Sequence, residues 1–208
     1  MENYQRVMEG LLAKLPKTEE KPRLLLHSCC GPCSSYVLEC LTAHFRVTVD
    51  YYNPNIYPEA EFMKRKAEQA RLLSEMPAAQ GVALVADPYD ETEFLEAVAG
   101  MEAQPEGGAR CAVCYRLRLE HTAKRAAAEG FDFFTTTLTV SPYKHADVLN
   151  AIGAELSESY GVPYLFSNFK KKDGYKRSCA LAAEYGLYRQ DYCGCRFSLR
   201  DQMEKTGT

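Results

Sequence analysis

The sequence predicts an α/β fold built on a Rossmann-like parallel sheet, with a helical and cysteine-rich C-terminal elaboration. Three observations predict it. Short apolar runs near 23–27, 46–52 and 82–86 alternate with helical stretches near 34–44 and 59–75, and repeats of this kind close by right-handed crossovers into a parallel sheet. The first run, Leu24-Leu25-Leu26, leads through His27 and Ser28 to a Gly31-Pro32 turn, the strand-to-helix corner where open α/β sheets place their ligands. A chain of 208 residues can bury a sizeable core without disulfides, so residues 1–208 are expected to form a single domain. Residues 165–208 are read as its basic, cysteine-containing arm.

Taken in order, the elements begin with an amphipathic helix near 4–15 and a polar linker over 16–22. The strand 23–27 and the helix 34–44 follow. Residues 46–52 are β-rich and end in the turn Asn53-Pro54-Asn55, after which 59–75 has strong helical composition. Residues 82–86 end in Asp87-Pro88 and read as a third strand. A helix is expected over 90–101, a loop around Pro105, Gly107 and Gly108, and a long helix over 111–129. Residues 131–137 return to β character, and 144–160 form another helix, stopped by Gly161 and Pro163. Beyond Leu165 only a short helix near 178–185 shows periodicity.

Nine cysteines occur without a charged-then-apolar leader, which places the chain in a reducing cytoplasm where clustered thiols bind metal or do redox work. No apolar run approaches membrane-spanning length, so no membrane partner is expected. The net charge of −3 hides an asymmetry: residues 165–200 carry eight basic and three acidic side chains, leaving −8 on the rest. A basic arm on an acidic body is compatible with holding a polyanion such as RNA, or with a solvated lysine loop.

The cysteines carry the chemistry. Cys29 and Cys30 are adjacent, with Cys33 on the first turn of the following helix. Cys111 and Cys114 open another helix, where free N–H groups and the dipole favour thiolate, and the preceding Gly-Gly and Arg110 argue against deep burial. Cys29, Cys30, Cys111 and Cys114 together offer the four thiolates of a [4Fe–4S] cluster or of structural zinc. The adjacency of Cys29 and Cys30 departs from zinc-knuckle spacing and favours iron–sulfur. Cys33 would then be a surplus thiol, free to bind a second metal or to act in the reaction. Cys193-Gly194-Cys195 would close a strained, easily reduced disulfide that stores two electrons, or supply further metal ligands. Cys40 reads as a small core residue.

Weaker signals accompany these. The run Thr135 to Lys144 ends a strand, and its hydroxyls, N–H groups and Lys144 could cradle a phosphate. Tyr175, Tyr185, Tyr188 and Tyr192, interleaved with basic residues, suit either base stacking or packing beneath the arm.

Five motifs occur in sequence: His27-Ser-Cys-Cys-Gly-Pro-Cys33, Asn53-Pro-Asn-Ile-Tyr-Pro58, Arg110-Cys-Ala-Val-Cys-Tyr-Arg-Leu-Arg118, the Thr-Thr-Leu to Ser-Pro-Tyr-Lys stretch, and Tyr188-Arg-Gln-Asp-Tyr-Cys-Gly-Cys195. Together they resemble the cobalamin-independent epoxyqueuosine reductases, the QueH family, from His27 to about Ser198. The resemblance implies a nucleotide α-hydrolase (HUP-like) fold and reduction of epoxyqueuosine to queuosine at the tRNA wobble position. It also implies a [4Fe–4S] cluster on Cys29, Cys30, Cys111 and Cys114, a redox-active Cys193/Cys195 pair, and an additional iron for which Cys33 is the first candidate ligand.

The implied partners are tRNA carrying epoxyqueuosine and an unidentified electron donor. Removing the epoxide oxygen as water requires two electrons and two protons, and Tyr143, Asp191 and Tyr192 are the candidate proton donors. Two other readings compete: a zinc-stabilised RNA-binding protein without catalysis, and an ATP-using tRNA thiolation enzyme. The latter would want Ser-Gly-Gly-x-Asp-Ser after the first strand, where this chain has Cys-Cys-Gly-Pro-Cys.

Overall fold

The computed structural model describes residues 2–16 and 20–206, so the linker expected over 16–22 lies partly outside the described residues. Four strands, β1 (Arg23–His27), β2 (Arg46–Tyr51), β3 (Ala83–Ala86) and β4 (Phe133–Thr136), form one sheet in the order β3-β2-β1-β4. Every pairing is parallel, as the strand–helix alternation predicts. The chain direction across the sheet reverses between β1 and β4, which makes the crevice beyond their carboxyl ends the topological switch point.

Side-chain alternation in β1 divides the interior into two cores. Leu24 and Leu26 point into one with Val47 and Val49, covered by helix α2 (Gly31–Leu41), helix α3 (Glu59–Glu75) and helix α7 (Gly174–Glu184). Leu25 points into the other with Phe134, covered by helix α5 (Ala109–Ala128) and helix α6 (Ala146–Tyr160). All three leucines are fully buried. Helix α1 (Tyr4–Leu12) closes the edge of the first core through Met8. No helix among the described residues is long and apolar enough to cross a membrane.

Several boundaries differ from expectation for identifiable reasons. Helix α2 starts at Gly31 rather than near Ser34, because Cys30 is extended (φ −172°, ψ 161°) and Pro32 sits in the first turn, where its fixed φ is already helical. Helix α4 (Thr92–Ala97) is shorter than the expected 90–101: Asp90 accepts the Thr92 N–H at its start, and the chain leaves the helix before Gly100, whose φ is +79°. Strand β4 covers only Phe133–Thr136 of the expected 131–137, and a 3-10 turn over Thr137–Val140 follows it. Helix α8 (Arg196–Thr206) is unanticipated. Its sequence is largely polar, and Phe197, buried in a small cluster with Phe94, Val98, Cys114 and Cys195, supplies the apolar anchor.

Candidate active site at the carboxyl ends of β1 and β4

The switch point is held by buried polar residues. His27 ends β1 with Nδ1 2.9 Å from Thr136 Oγ1 and Nε2 3.2 Å from the Tyr52 carbonyl. A carbonyl only accepts, so Nε2 carries the proton and Thr136 donates to Nδ1. Complete burial and the nearby Arg118 charge depress this imidazole to about 4, which keeps it neutral. The next turn is tied down by Asn53 Nδ2, which donates to the Ser28 carbonyl at 2.8 Å. The Ser28 and Ser34 hydroxyls converge on Gln69 Oε1 at 2.8 and 2.7 Å.

This turn brings Cys29, Cys30 and Cys33 together, with their sulfurs all within 4.8 Å of one another. Cys29 Sγ and Cys30 Sγ are 3.6 Å apart. Hydrogen bonds from the Cys29 and Cys33 thiols hold Cys30 well below the usual thiol range against the effect of burial, helped by Gln190 Nε2 at 3.2 Å and the Arg65 charge. Cys29 moves upward chiefly through its bond with Cys30, against the opposing effect of Cys33, and Cys33 moves well upward through its bonds with both neighbours. Cys30 is thus the sulfur of the trio that ionises most readily. Cys33, surplus on sequence grounds, is a full member of the trio.

Cys111 and Cys114 stand on the first turns of α5, each 8 % exposed. Two expectations are corrected here. The pair is deeply buried because Arg110 is itself buried, donating to the Met101 and Glu102 carbonyls and lying 4.5 Å from the Phe197 ring centre. Burial, not the helix dipole, then governs both thiols: Cys111 is raised and Cys114 is pushed up to about 11. Cys111 shares its apolar cluster with neighbouring Cys29, while Cys114 packs with Cys195. Neither joins the 4.8 Å group of Cys29, Cys30 and Cys33.

The segment Cys193-Gly194-Cys195 is clamped from α3 and from the preceding loop. Arg65 is 1 % exposed; its Nε is held by Glu61 at 2.7 Å and its Nη1 donates to the Cys193 carbonyl at 3.1 Å. The Tyr57 N–H donates to the Gly194 carbonyl at 2.8 Å. Gly194 has φ +123°, a conformation only glycine adopts readily. All nine cysteines are free thiols in this structure.

Lys144 departs from its expected role as a phosphate cradle. It is 8 % exposed, and its Nζ donates to Cys193 Sγ at 2.8 Å and to Glu106 Oε1 at 3.3 Å. Burial works to deprotonate it, but the charges of Cys193, Tyr115 and Glu106 outweigh burial and hold it above the ordinary lysine value. Cys29, Cys33, Cys193, Lys144, Glu106 and Arg118 all line one cleft of about 280 Å³, with Tyr143, Gln190, Asp191 and Tyr192 at its walls. Of the candidate proton donors, Tyr192 donates its hydroxyl to the Tyr57 carbonyl at 2.5 Å, Tyr143 is 72 % exposed, and Asp191 is exposed.

The arm is less free than its charge suggests. Lys172 pairs with Glu9, Arg177 with Glu39, Arg196 with Glu91 and Arg200 with Asp201. Tyr188 bonds Glu61 and carries Lys64 over its ring, and Tyr185 packs against the first core. Cys40 lies against that core too, as expected. Sequence reasoning missed Arg65, Arg118 and Gln190 as parts of the site. Only Arg118 carried a usable signal, its place one helical turn after Cys114.

A family model described as epoxyqueuosine reductase QueH matches residues 24–201. Among similar curated proteins, the epoxyqueuosine reductase QueH of Streptococcus pyogenes serotype M1 is 41 % identical over 96 % of this chain and 79 % of its own length. That of Staphylococcus epidermidis is 37 % identical over 96 % and 86 %, and that of Thermotoga maritima 35 % identical over 88 % and 93 %. With the match spanning the sheet, the thiol turn after β1 and the Cys193–Cys195 segment alike, the chain belongs to the epoxyqueuosine reductase QueH family.

Proposed function

We propose that the chain is an oxidoreductase that converts epoxyqueuosine to queuosine in tRNA, and that the thiol-lined cleft at the switch point is where the epoxide is reduced. The observation that carries this reading is the convergence of Cys29 and Cys33, two members of the thiol trio, and the Lys144–Cys193 pair on one cleft. A site of this kind offers soft donors for a metal and a thiol for redox work, and the reaction needs two electrons and two protons.

The residues present suit an iron–sulfur cluster. Cys29, Cys30, Cys111 and Cys114 would ligate it as [4Fe–4S]: all four are sulfur donors set in apolar surroundings, and Cys111 Sγ already accepts the Gly107 N–H at 3.2 Å, a contact of the sort that tunes cluster thiolates. Arg118, buried beside Cys114, Cys193 and Cys29, supplies compensating positive charge. When bound, the cluster supplies single-electron transfer. Cys33 would remain to hold an additional iron.

Within this reading the chain's own groups have separate tasks. Arg65 fixes the carbonyl of Cys193, and through it the dithiol Cys193/Cys195. The Cys193 sulfur faces the cleft, while Cys195 is 7 % exposed and held against Ser198. An electron donor from the reducing cytoplasm would return the pair to dithiol after each turnover. The test is anaerobic purification followed by incubation with epoxyqueuosine-containing tRNA and a chemical reductant, read by nucleoside mass spectrometry. Brown protein containing iron and sulfide and forming queuosine is the expected result; colourless, zinc-containing protein without product overturns the reading.

A further inference from the structure

Removal of an epoxide oxygen as water consumes two electrons and two protons. Oxidation of a dithiol to a disulfide releases two electrons and two protons. The two half-reactions balance, provided that something carries the protons from sulfur to oxygen. The three candidate donors read from the sequence line the same cleft, but Tyr192 is engaged with a carbonyl, and Tyr143 and Asp191 are exposed to solvent.

We propose that Lys144 is a catalytic residue, the proton relay between the Cys193/Cys195 dithiol and the oxygen leaving the epoxide. Its Nζ is 2.8 Å from Cys193 Sγ, it lines the same cleft as that sulfur, and it is almost wholly removed from solvent. The main chain fixes it there, since Lys170 Nζ donates to the Lys144 carbonyl at 2.6 Å and the Lys144 N–H reaches the Ser141 carbonyl at 3.3 Å. Glu106, at 3.3 Å, aligns the ammonium without closing the cleft. Arg118, the other buried cation of the cleft, does not release a proton under protein conditions, which leaves Lys144 as the buried group able to hold and give one.

The atoms balance in one turnover. The Lys144–Cys193 pair holds one proton between nitrogen and sulfur, and Cys195 holds the second. As the first C–O bond breaks, the Lys144 ammonium gives its proton to the oxygen. As the second breaks and the alkene forms, the Cys195 proton follows through the Lys144 amine, and the oxygen leaves as water. The two electrons come from the sulfurs, which join as the Cys193–Cys195 disulfide. With Cys193 in the disulfide, no thiolate holds the proton on nitrogen, so its release coincides with the redox step.

This inference rests on the dithiol assignment above, and the experiment separates the two. Full-length protein is purified anaerobically as wild type, Lys144→Met, Lys144→Ala, Lys144→Arg and Cys193→Ser, and kcat and KM are measured on epoxyqueuosine-containing tRNA. Lys144→Met is expected to keep its iron, sulfide and KM while kcat falls about 10²- to 10⁴-fold, the usual contribution of a positioned acid–base group. Ethylamine and its fluorinated analogues should restore part of the Lys144→Ala rate in proportion to amine basicity, a dependence that a purely structural role would not produce. Lys144→Arg, which keeps the charge but cannot give up the proton, should fold and remain slow; it decides the matter if Lys144→Met does not fold. Full kcat in Lys144→Arg, or rescue independent of amine basicity, overturns the relay. If Cys193→Ser also turns over normally, the dithiol assignment falls with it; if Cys193→Ser alone is inactive, only the relay falls.

Discussion

Gly194→Ala is the sharpest structural test of how the redox segment is held. Gly194 has φ +123°, and a Cβ built there stands 2.9 Å from Arg65 Nη1 and 3.2 Å from Ile56 Cγ1. Arg65 has nowhere to go: it is 1 % exposed, with Nε on Glu61, Nη1 on the Cys193 carbonyl and Nη2 facing the Tyr192 carbonyl. Backbone strain at such a φ costs about 1–3 kcal/mol, and pushing a packed side chain off its rotamer adds roughly 0.5–1.5 kcal/mol. A loss of about 2–4 kcal/mol lowers Tm by roughly 4–16 °C for a chain of this size. Thermal unfolding followed by far-UV circular dichroism measures the loss, and kcat measures the accompanying displacement of Cys193. Gly10→Ala in α1 is the control, with nothing within 4 Å of the added methyl; it should stabilise by up to about 1 kcal/mol. A Gly194→Ala protein with unchanged Tm and unchanged turnover would refute the claim that this backbone is locked by Arg65.

Three further predictions concern the sheet and the thiols. Asp50, fully buried at the end of β2, accepts from Thr122 Oγ1 at 2.7 Å and pairs with Arg125 at 2.5 Å. Burial works to raise its carboxyl, but nearby His121, the bond from Thr122 and the Arg125 charge win and hold it below the ordinary value. Its contribution is therefore present above the unfolded carboxylate pKa of about 3.9 and lost as pH falls through the lower folded value. Asp50→Asn should cost roughly 2 kcal/mol at pH 7, less than a fully buried pair because Arg125 keeps Asp87, and the deficit should shrink in urea titrations as pH is lowered below about 3.9; a pH-independent deficit would contradict the charge argument. Leu25→Ala, opening a cavity between β1 and α5, should lose about 2–5 kcal/mol in the same titration. Cys193→Ser should retain iron and sulfide by chemical analysis while losing multiple turnover; persistence of turnover with every thiol reductant supplied would remove the dithiol from the reaction.

The sheet was legible because its signals are local and periodic. Leu24, Leu25 and Leu26 read as a strand buried on both faces, and both faces are covered. The positions of the three N-terminal thiols were legible for the same reason, since the Gly31-Pro32 turn fixes them at the corner after β1. What the sequence did not show depends on tertiary partners. Arg110 reads as a solvent-exposed residue until α8 lays Phe197 beside it, and α8 itself shows little periodicity. Lys144 sits in a phosphate-like run of hydroxyls, and only the folded position of Cys193, 49 residues away, turns it toward sulfur. Tyr185, Tyr188 and Tyr192 looked equally fit to stack bases or to pack, and contacts with residues more than 100 positions away decide for packing in the last two.

Arg118 bears on the charge of the proposed centre. Arg118 is 2 % exposed, and the hydrogen bond described for its side chain is Nε to the Cys114 carbonyl of its own helix, at 3.3 Å. It has no carboxylate partner among the described ion pairs, in contrast to Arg65, which has Glu61, and Arg125, which has Asp50 and Asp87. An uncompensated buried charge costs several kcal/mol, and a protein of marginal stability does not carry that cost without an opposing field. Cys114, Cys193 and Cys29 lie close enough to raise the Arg118 guanidinium if ionised, and in the proposed cluster site sulfur would supply compensating charge. Neutral thiols cannot supply it; thiolates can. Metal-bound cysteines are thiolates by necessity, and a redox thiol passes through the thiolate when it reacts. The placement of Arg118 is therefore what the proposed metal-bound, ionised cysteines would require.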